Sequence, residues 1–353
     1  MRAMIVKEFR QLRRDRRTLA MMIVMPVLLL VILGYAASFD VSAVPTVVAG
    51  PAAGSVAKAL PKPFTLAGMY QAGAQAPEAW ARDQLRDGRA AVAIVTGANP
   101  ETATPRVLID GSQLFAAQAA ERALATLKSG PVTTASVSPD VQVLYNPGLK
   151  TSDIMIPGLA GVILVFVGTV ITSLGVVRER QAGTLEQLAV MPLRPVDVFL
   201  GKIIPYFVVA LADLAIVLAV GVAVFGVPFS GSAAAFALGA LLFVFVTLGL
   251  GVLISSVSQT QGQAIQLAVM TLLPQVLLSG LIFPLSSIVA GVRWIAYLLP
   301  LTYFTEIARG VMLRAEPLTS LWPPFVYLAL LGAAVATLAT LRFRAFLAPG
   351  TGR

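Results

Sequence analysis

Cysteine and histidine are both absent from the 353 residues. That excludes disulfides, iron–sulfur clusters, thiol or imidazole catalysis, and the usual zinc sites. A carboxylate-only metal site stays open, with nothing in the spacing to favour one. Charge is scarce as well. Only 12% of residues are Asp, Glu, Lys or Arg, against roughly 25% in a soluble domain, while 57% are hydrophobic. With a mean hydropathy of +0.84, the chain is neither a soluble enzyme nor a disordered polymer. What remains is a polytopic membrane protein.

The net charge of +9 would suit a nucleic-acid binder if it formed one face, but it does not. Residues 1–18 hold seven Lys/Arg against Glu8 and Asp15, a net +5. Residues 40–153 hold nine basic and nine acidic side chains, and the tail 342–353 adds Arg342, Arg344 and Arg353. Positive charge therefore sits beside apolar runs, which is the orientation signal of membrane proteins and argues against nucleic acid as a partner.

A bilayer core of about 30 Å takes roughly 20 apolar residues as a helix. Six nearly uncharged stretches meet that length, at about 19–39, 155–177, 198–227, 232–254, 264–284 and 321–341. The first is too long for a signal-peptide core and lacks a convincing cleavage site, so it is expected to stay as an anchor. Arg10, Arg13, Arg14, Arg16 and Arg17 precede it, which puts the N-terminus in the cytoplasm. Six crossings return the C-terminus to the same side, leaving 178–197 inside and 40–153 and 285–320 outside. Trp294, Tyr297, Tyr303 and Trp322 are expected in an interfacial aromatic belt at the outer span ends. The inner loop at about 255–263 carries no charge, against the trend.

The long outer segment reads as a small α/β domain. Val44–Ala49, Ala90–Val95, Arg106–Asp110 and Val141–Tyr145 have the apolar, β-branched character of short buried strands. Glu78–Asp87 reads as a helix ended by Gly88, and Ser112 as the cap of a helix running to about Lys128 and closed by Gly130. Such a domain serves either as a spacer or as a binding unit for a ligand or a periplasmic adaptor. The fold class is thus an α-helical polytopic membrane protein of six spans. Its expected domains are a cytoplasmic amphipathic helix at 1–18, a span at 19–39, the α/β domain at 40–153, a five-helix membrane domain at 154–345 and a cytoplasmic tail at 346–353.

The densest pattern lies between the second and third spans. In Arg178-Glu179-Arg180-Gln181-Ala182-Gly183-Thr184-Leu185-Glu186-Gln187-Leu188-Ala189-Val190-Met191-Pro192, Thr184 and Gln187 make a capping-box spacing. Gly183 offers a hinge before it, and Pro192 ends the helix after about two turns. Pro195 then fits the first turn of the next helix. A short stiff helix with Leu185 and Leu188 among charges suits docking in a partner's groove; it would equally serve as a solvated interfacial helix.

These residues, with Met191-Pro192-Leu193-Arg194 and Leu200-Gly201-Lys202-Ile203-Ile204-Pro205-Tyr206, resemble the membrane subunit of type-two ABC exporters. Similar to that family too are Lys7-Glu8-Phe9-Arg10-Gln11-Leu12-Arg13-Arg14-Asp15 ahead of Met25-Pro26 and Tyr145-Asn146-Pro147 leading to Ile156-Pro157-Gly158. Pro300-Leu301-Thr302-Tyr303-Phe304 with Glu306 and Arg309-Gly310 also fits. Gln181 and Met191 stand where the family usually has an acid and often a threonine. The resemblance implies a permease that works with a second permease chain, a homodimer or sister pair, and a cytoplasmic ATPase dimer in a bacterial inner membrane. ATP and Mg would be bound by that ATPase and no cofactor by this chain. Arg178, Glu179, Arg180, Gly183, Thr184, Leu185, Glu186, Leu188 and Pro192 would form the coupling element over 178–192. Independently, the chain has no GxxxxGK[ST] phosphate loop: Gly201-Lys202 is followed by Ile203, and Val196 stands where the first glycine belongs.

Ionisable residues at membrane depth are costly and mark either function or helix–helix bonding. Asp213, central in the third expected span, is either a substrate or proton contact or a neutral acid bonded to a neighbouring helix. Glu306 and Arg309, three apart on one helix face, are expected in a short helix dipping into the outer leaflet, as a gate or a self-satisfied pair. Pro274 is expected to kink the fifth span, and Gly239, Gly249 and Gly251 to allow close helix approach in the fourth. Two other readings compete: a secondary transporter, which would show repeated halves or more ionisable residues in its spans, and a membrane scaffold whose outer domain binds an envelope partner.

Overall fold

The computed structural model describes residues 43–71, 76–97, 105–129, 139–182, 195–283, 285 and 288–347. The expected N-terminal amphipathic helix, the first span at 19–39, residues 183–194 and the tail beyond 347 lie outside these.

Apolar β-branched runs near the N-terminal side build a five-stranded mixed sheet. Its elements are β1 (Val44–Ala49), α1 (Ala53–Lys58), β2 (Phe64–Met69), α2 (Pro77–Arg86), β3 (Val92–Val95), β4 (Arg106–Asp110), α3 (Leu114–Ser129) and β5 (Asp140–Leu144). The strand order is β2-β1-β3-β4-β5; only β3 and β4 run antiparallel. Strands of a largely parallel sheet are buried on both faces and lose polar alternation, as β1 and β4 do. On one face Val44, Val92 and Ile109 meet Ala117 and Ala120 of α3; on the other Val47, Ala93 and Leu108 meet Ala81 and Leu85 of α2. Glu78 of α2 accepts hydrogen bonds from Arg82 at 3.0 Å and from Arg106 of β4 at 2.8 Å.

The expected strands at 44–49 and 106–110 coincide with β1 and β4, and β3 and β5 lie within a residue or two of expectation. The sequence reading misses α1 and β2. β2 is an edge strand with most side chains exposed, so it lacks a buried face to write a pattern. Ser112 lies two residues ahead of α3; its backbone N–H donates to Asp110 and its hydroxyl accepts from Arg314.

The second layer is helical: α4 (Thr151–Gln181), α5 (Pro195–Phe225), α6 (Ala233–Val257), α7 (Gln261–Leu278), α8 (Ala290–Ala296), α9 (Pro300–Met312) and α10 (Leu318–Leu347). Four of these are long and apolar enough to cross a bilayer: α4, α5 from Ile204, α6, and α10 to Arg342. Pro195 opens α5 as expected. The expected continuous span 264–284 is corrected. The helix stops at Leu278 because Gly280 takes a left-handed φ of 83°, the conformation in which helices commonly terminate. Eighteen residues make about 27 Å, close to the roughly 30 Å of a bilayer core.

α6 is the axis of the layer, packed by α4, α5, α9 and α10. Phe243 stacks on Phe304 of α9 at 4.3 Å, and Phe236 meets the same ring edge-on. The glycines of α6 work as expected. A Cβ on Gly251 would stand 2.8 Å from Thr172 Cβ and 3.0 Å from the Gly168 carbonyl of α4, and those on Gly239 and Gly249 would strike Ile307 and Val335.

Candidate functional sites at the two ends of the helical layer

At the end of α4 away from the sheet, Arg178 is exposed, while Glu179 and Arg180 are half-buried. Arg180 Nη1 donates to the carbonyl of Ser258 at 2.6 Å, and Gln261 Nε2 donates to Gln181 Oε1 at 2.9 Å. Ser258 is the C-cap of α6, and Thr260 caps α7 by accepting from the Gln263 N–H. The guanidinium therefore lies at the negative end of α6, where a cation is favoured by about 0.3–1 kcal/mol. This places a positive charge against the 255–263 loop, whose own sequence has none. Three helix ends, those of α4, α6 and α7, are joined beside the residue where the Gly183–Pro192 motif begins. Gly183, Thr184, Leu185, Glu186, Leu188 and Pro192 themselves lie outside the described residues.

At the sheet end, an ionic joint ties the two layers together. Arg314, in the turn between α9 and α10, is 7% exposed. Its Nη2 donates to Glu316 Oε2 at 2.6 Å, Nη1 to Ser112 Oγ at 3.2 Å and Nε to the Arg86 carbonyl at 3.1 Å. Asp110, fully buried, accepts from the Ser112 N–H and from Gln113 Nε2. Burial pushes the Asp110 carboxyl above its ordinary range, while the Arg314 charge pulls it back. For Arg314 burial works against the charged form, but Asp110 and Glu316 outweigh it and hold the guanidinium protonated. Gly310 leaves room for this cluster, since a Cβ there would lie 2.7 Å from Glu316 Oε2. The turn into α4 is fixed by Asn146: its Nδ2 donates to the Lys150 carbonyl at 3.0 Å, and its Oδ1 accepts from the Lys150 N–H at 2.9 Å. Leu114, Ile154 and Leu313 close the joint with an apolar contact.

Sequence reasoning missed Arg314 and Glu316, which fall in the outer stretch 285–320 and belong to none of the motifs singled out there. Their one sequence signal is a charged pair two apart, directly after an apolar helix.

Glu306 and Arg309 share a face of α9 as expected, but they form no ion pair with each other. Arg309 Nη2 turns to the carbonyls of Gly280 and Leu281, at 3.3 and 3.4 Å. Both side chains line a cavity of about 330 Å³ between α9, the Ser279–Gly280 turn and the start of α3. Glu306 also lines a second cavity, of about 250 Å³, on the side of α10. Trp294, Tyr297 and Trp322 are exposed at this end, but Tyr303, expected in the same belt, is only 6% exposed. Its ring is stacked on Tyr327.

Asp213 is half-buried beside Ala210 and Leu214 on α5. Among the described residues it makes no hydrogen bond to a neighbouring helix. Asp213 lines neither of the two cavities that Glu306 lines.

Known proteins have similar sequences. Over 194 residues the chain is 36% identical to a protein named "Probable multidrug ABC transporter permease YbhR" of Escherichia coli K12, covering 54% of this chain and 53% of that one. The chain thus spans about half the length of that relative. It is 29% identical over 340 residues to "Probable multidrug ABC transporter permease YbhS" of the same organism, covering 89% of each. A third relative, "ABC transporter G family member 20" of Dictyostelium discoideum, is 29% identical over 57% of this chain and 27% of its own length. Residues 16–341 match the family described as ABC-2 family transporter protein, and the chain, a membrane protein with a sheet domain joined to a bundle of apolar helices, belongs to that family.

Proposed function

We propose that this chain is the permease subunit of an ATP-binding-cassette exporter, driven by a separate cytoplasmic ATPase dimer and completed by a second permease chain. In this reading six helices cross a bacterial inner membrane, both termini are cytoplasmic, and the sheet domain stands on the outer face. The element at 178–192 seats on the ATPase. The observation that carries the reading is the tie from Arg180 to Ser258 and from Gln181 to Gln261. A push on the motif that follows Ala182 reaches α4, α6 and α7 together, because a carbonyl and a side-chain amide lock their ends. The absence of a phosphate loop from the sequence leaves nucleotide hydrolysis to the partner.

The test is co-expression with an ABC-type ATPase and purification through a tag on this chain. Deletion of 178–192 is expected to abolish capture of the ATPase. Because a deletion can disturb folding, Glu186→Arg and Arg180→Ala provide the second arm. Both are expected to insert normally and to lower export per ATP hydrolysed. Full ATP-driven export by the Glu186→Arg complex would sink the coupling role.

A further inference from the structure

The smaller cavity beside α9 has an unusual wall. Tyr297, Tyr303, Tyr327, Pro323 and Pro324 line it, and Glu306 is the charged residue among them. Tyr303 is stacked on Tyr327 with ring centroids 5.1 Å apart, and its hydroxyl donates to the Tyr297 carbonyl at 2.6 Å. The ring is thereby fixed and its polar end already satisfied. Glu306 is exposed, and among the described residues its carboxylate has no hydrogen bond or ion pair; the two arginines whose charge reaches it are committed elsewhere, Arg314 to Glu316 and Ser112 and Arg309 to the carbonyls of Gly280 and Leu281. Tyr297 and Tyr327 are each 51% exposed, so the cavity is accessible.

A partnerless carboxylate beside aromatic faces suits one class of ligand. A hard metal ion needs several oxygen ligands, and the cavity offers one acid among rings and prolines. An anion is repelled by Glu306. An organic ammonium, weakly hydrated and large, is drawn both by the carboxylate and by the negative faces of the tyrosine rings. At about 250 Å³ the space lies just below the roughly 300–1,000 Å³ of small-molecule pockets, so it takes a head group and not a whole drug-sized body. We propose that Glu306, with Tyr303 and Tyr327, forms a binding site for the ammonium group of an amphiphilic cation or of a lipid. Its meaning as a step in export rests on the permease reading; the binding itself does not.

The test uses the full chain in nanodiscs of phosphatidylglycerol, whose head group carries no amine, titrated calorimetrically with benzyltrimethylammonium. Saturable binding is expected, weakened at least about tenfold by Glu306→Gln and about threefold by Tyr327→Leu. Gel filtration of each variant confirms that it remains folded and monodisperse. Neopentylbenzene, of the same shape without the charge, is expected not to displace the cation. Absence of binding to the unaltered chain, full binding by Glu306→Gln, or displacement by the neutral compound would each overturn the site. Adding phosphatidylcholine to the discs separates the sources. Displacement of the soluble cation assigns the site to a lipid head group, and retention assigns it to a free amine; both outcomes support ammonium recognition. Failure here leaves the ATPase-capture result standing, and failure of capture leaves this binding measurement intact.

Discussion

At the scale of the residue, the joint around Arg314 holds the two layers through charge taken out of water. Removing one member of a buried ionic cluster strands the others, at about 3–5 kcal/mol. Arg314→Met is therefore expected to lower the melting temperature of the detergent-solubilised chain by far more than a surface arginine would. The deficit should depend on pH. Burial raises the Asp110 carboxyl above its unfolded value, and without Arg314 only the hydrogen bonds from Ser112 and Gln113 still pull it back. A raised acid contributes stability that is complete below the unfolded value and is lost as pH climbs through the folded one. Melting of Arg314→Met against the unaltered chain should thus diverge as pH rises above the ordinary carboxylate range. A constant gap would mean that Asp110 does not bear the charge. At this scale the sequence was only partly informative. The shared helix face of Glu306 and Arg309 follows from a spacing of three, but whether they pair depends on where the carbonyls of Gly280 and Leu281 arrive.

At the scale of the element, the helices of the membrane layer owe their closeness to missing side chains. In a bilayer, helix association draws on van der Waals contact between small residues, and Gly251 on α6 brings its backbone against Thr172 and the Gly168 carbonyl of α4. Gly251→Val is expected to force these helices apart at about 1–3 kcal/mol, read as a lower yield of monodisperse protein and a lower melting temperature. Substitution at Gly54, where a Cβ meets nothing within 4 Å, should leave both unchanged. Element boundaries were legible wherever an apolar run met a breaker, as at β1, β4 and the start of α5. The end of α7 was not: Leu281, Ile282 and Phe283 continue the hydrophobic run, and only the left-handed Gly280 shows that the helix has already stopped. β2 was invisible for the opposite reason, an edge strand whose exposed face carries no hydrophobic rhythm.

At the scale of the whole molecule, the lack of cysteine is a practical gift for topology. Ser55→Cys on the sheet domain and Gln259→Cys in the turn between α6 and α7 both fall at exposed positions, each giving a chain with a single thiol. In intact bacterial spheroplasts a membrane-impermeant maleimide is expected to label the first and not the second, with both labelled after lysis. The reverse pattern would turn the proposed orientation over and remove the ATPase from the Arg180 end.

The sequence alone determined the class of this protein and most of its local structure. Runs of apolar residues, their lengths and the charges flanking them are one-dimensional quantities, and the cost of placing backbone in hydrocarbon or in a sheet interior acts on each run separately. Its motifs likewise carried the family resemblance. Only the tertiary structure decided which polar groups are satisfied. Arg314 meets Ser112 across 202 positions and Arg180 meets Ser258 across 78. A buried charge is stabilised or stranded by whatever the fold delivers to within hydrogen-bonding distance, and no spacing along the chain contains that distance.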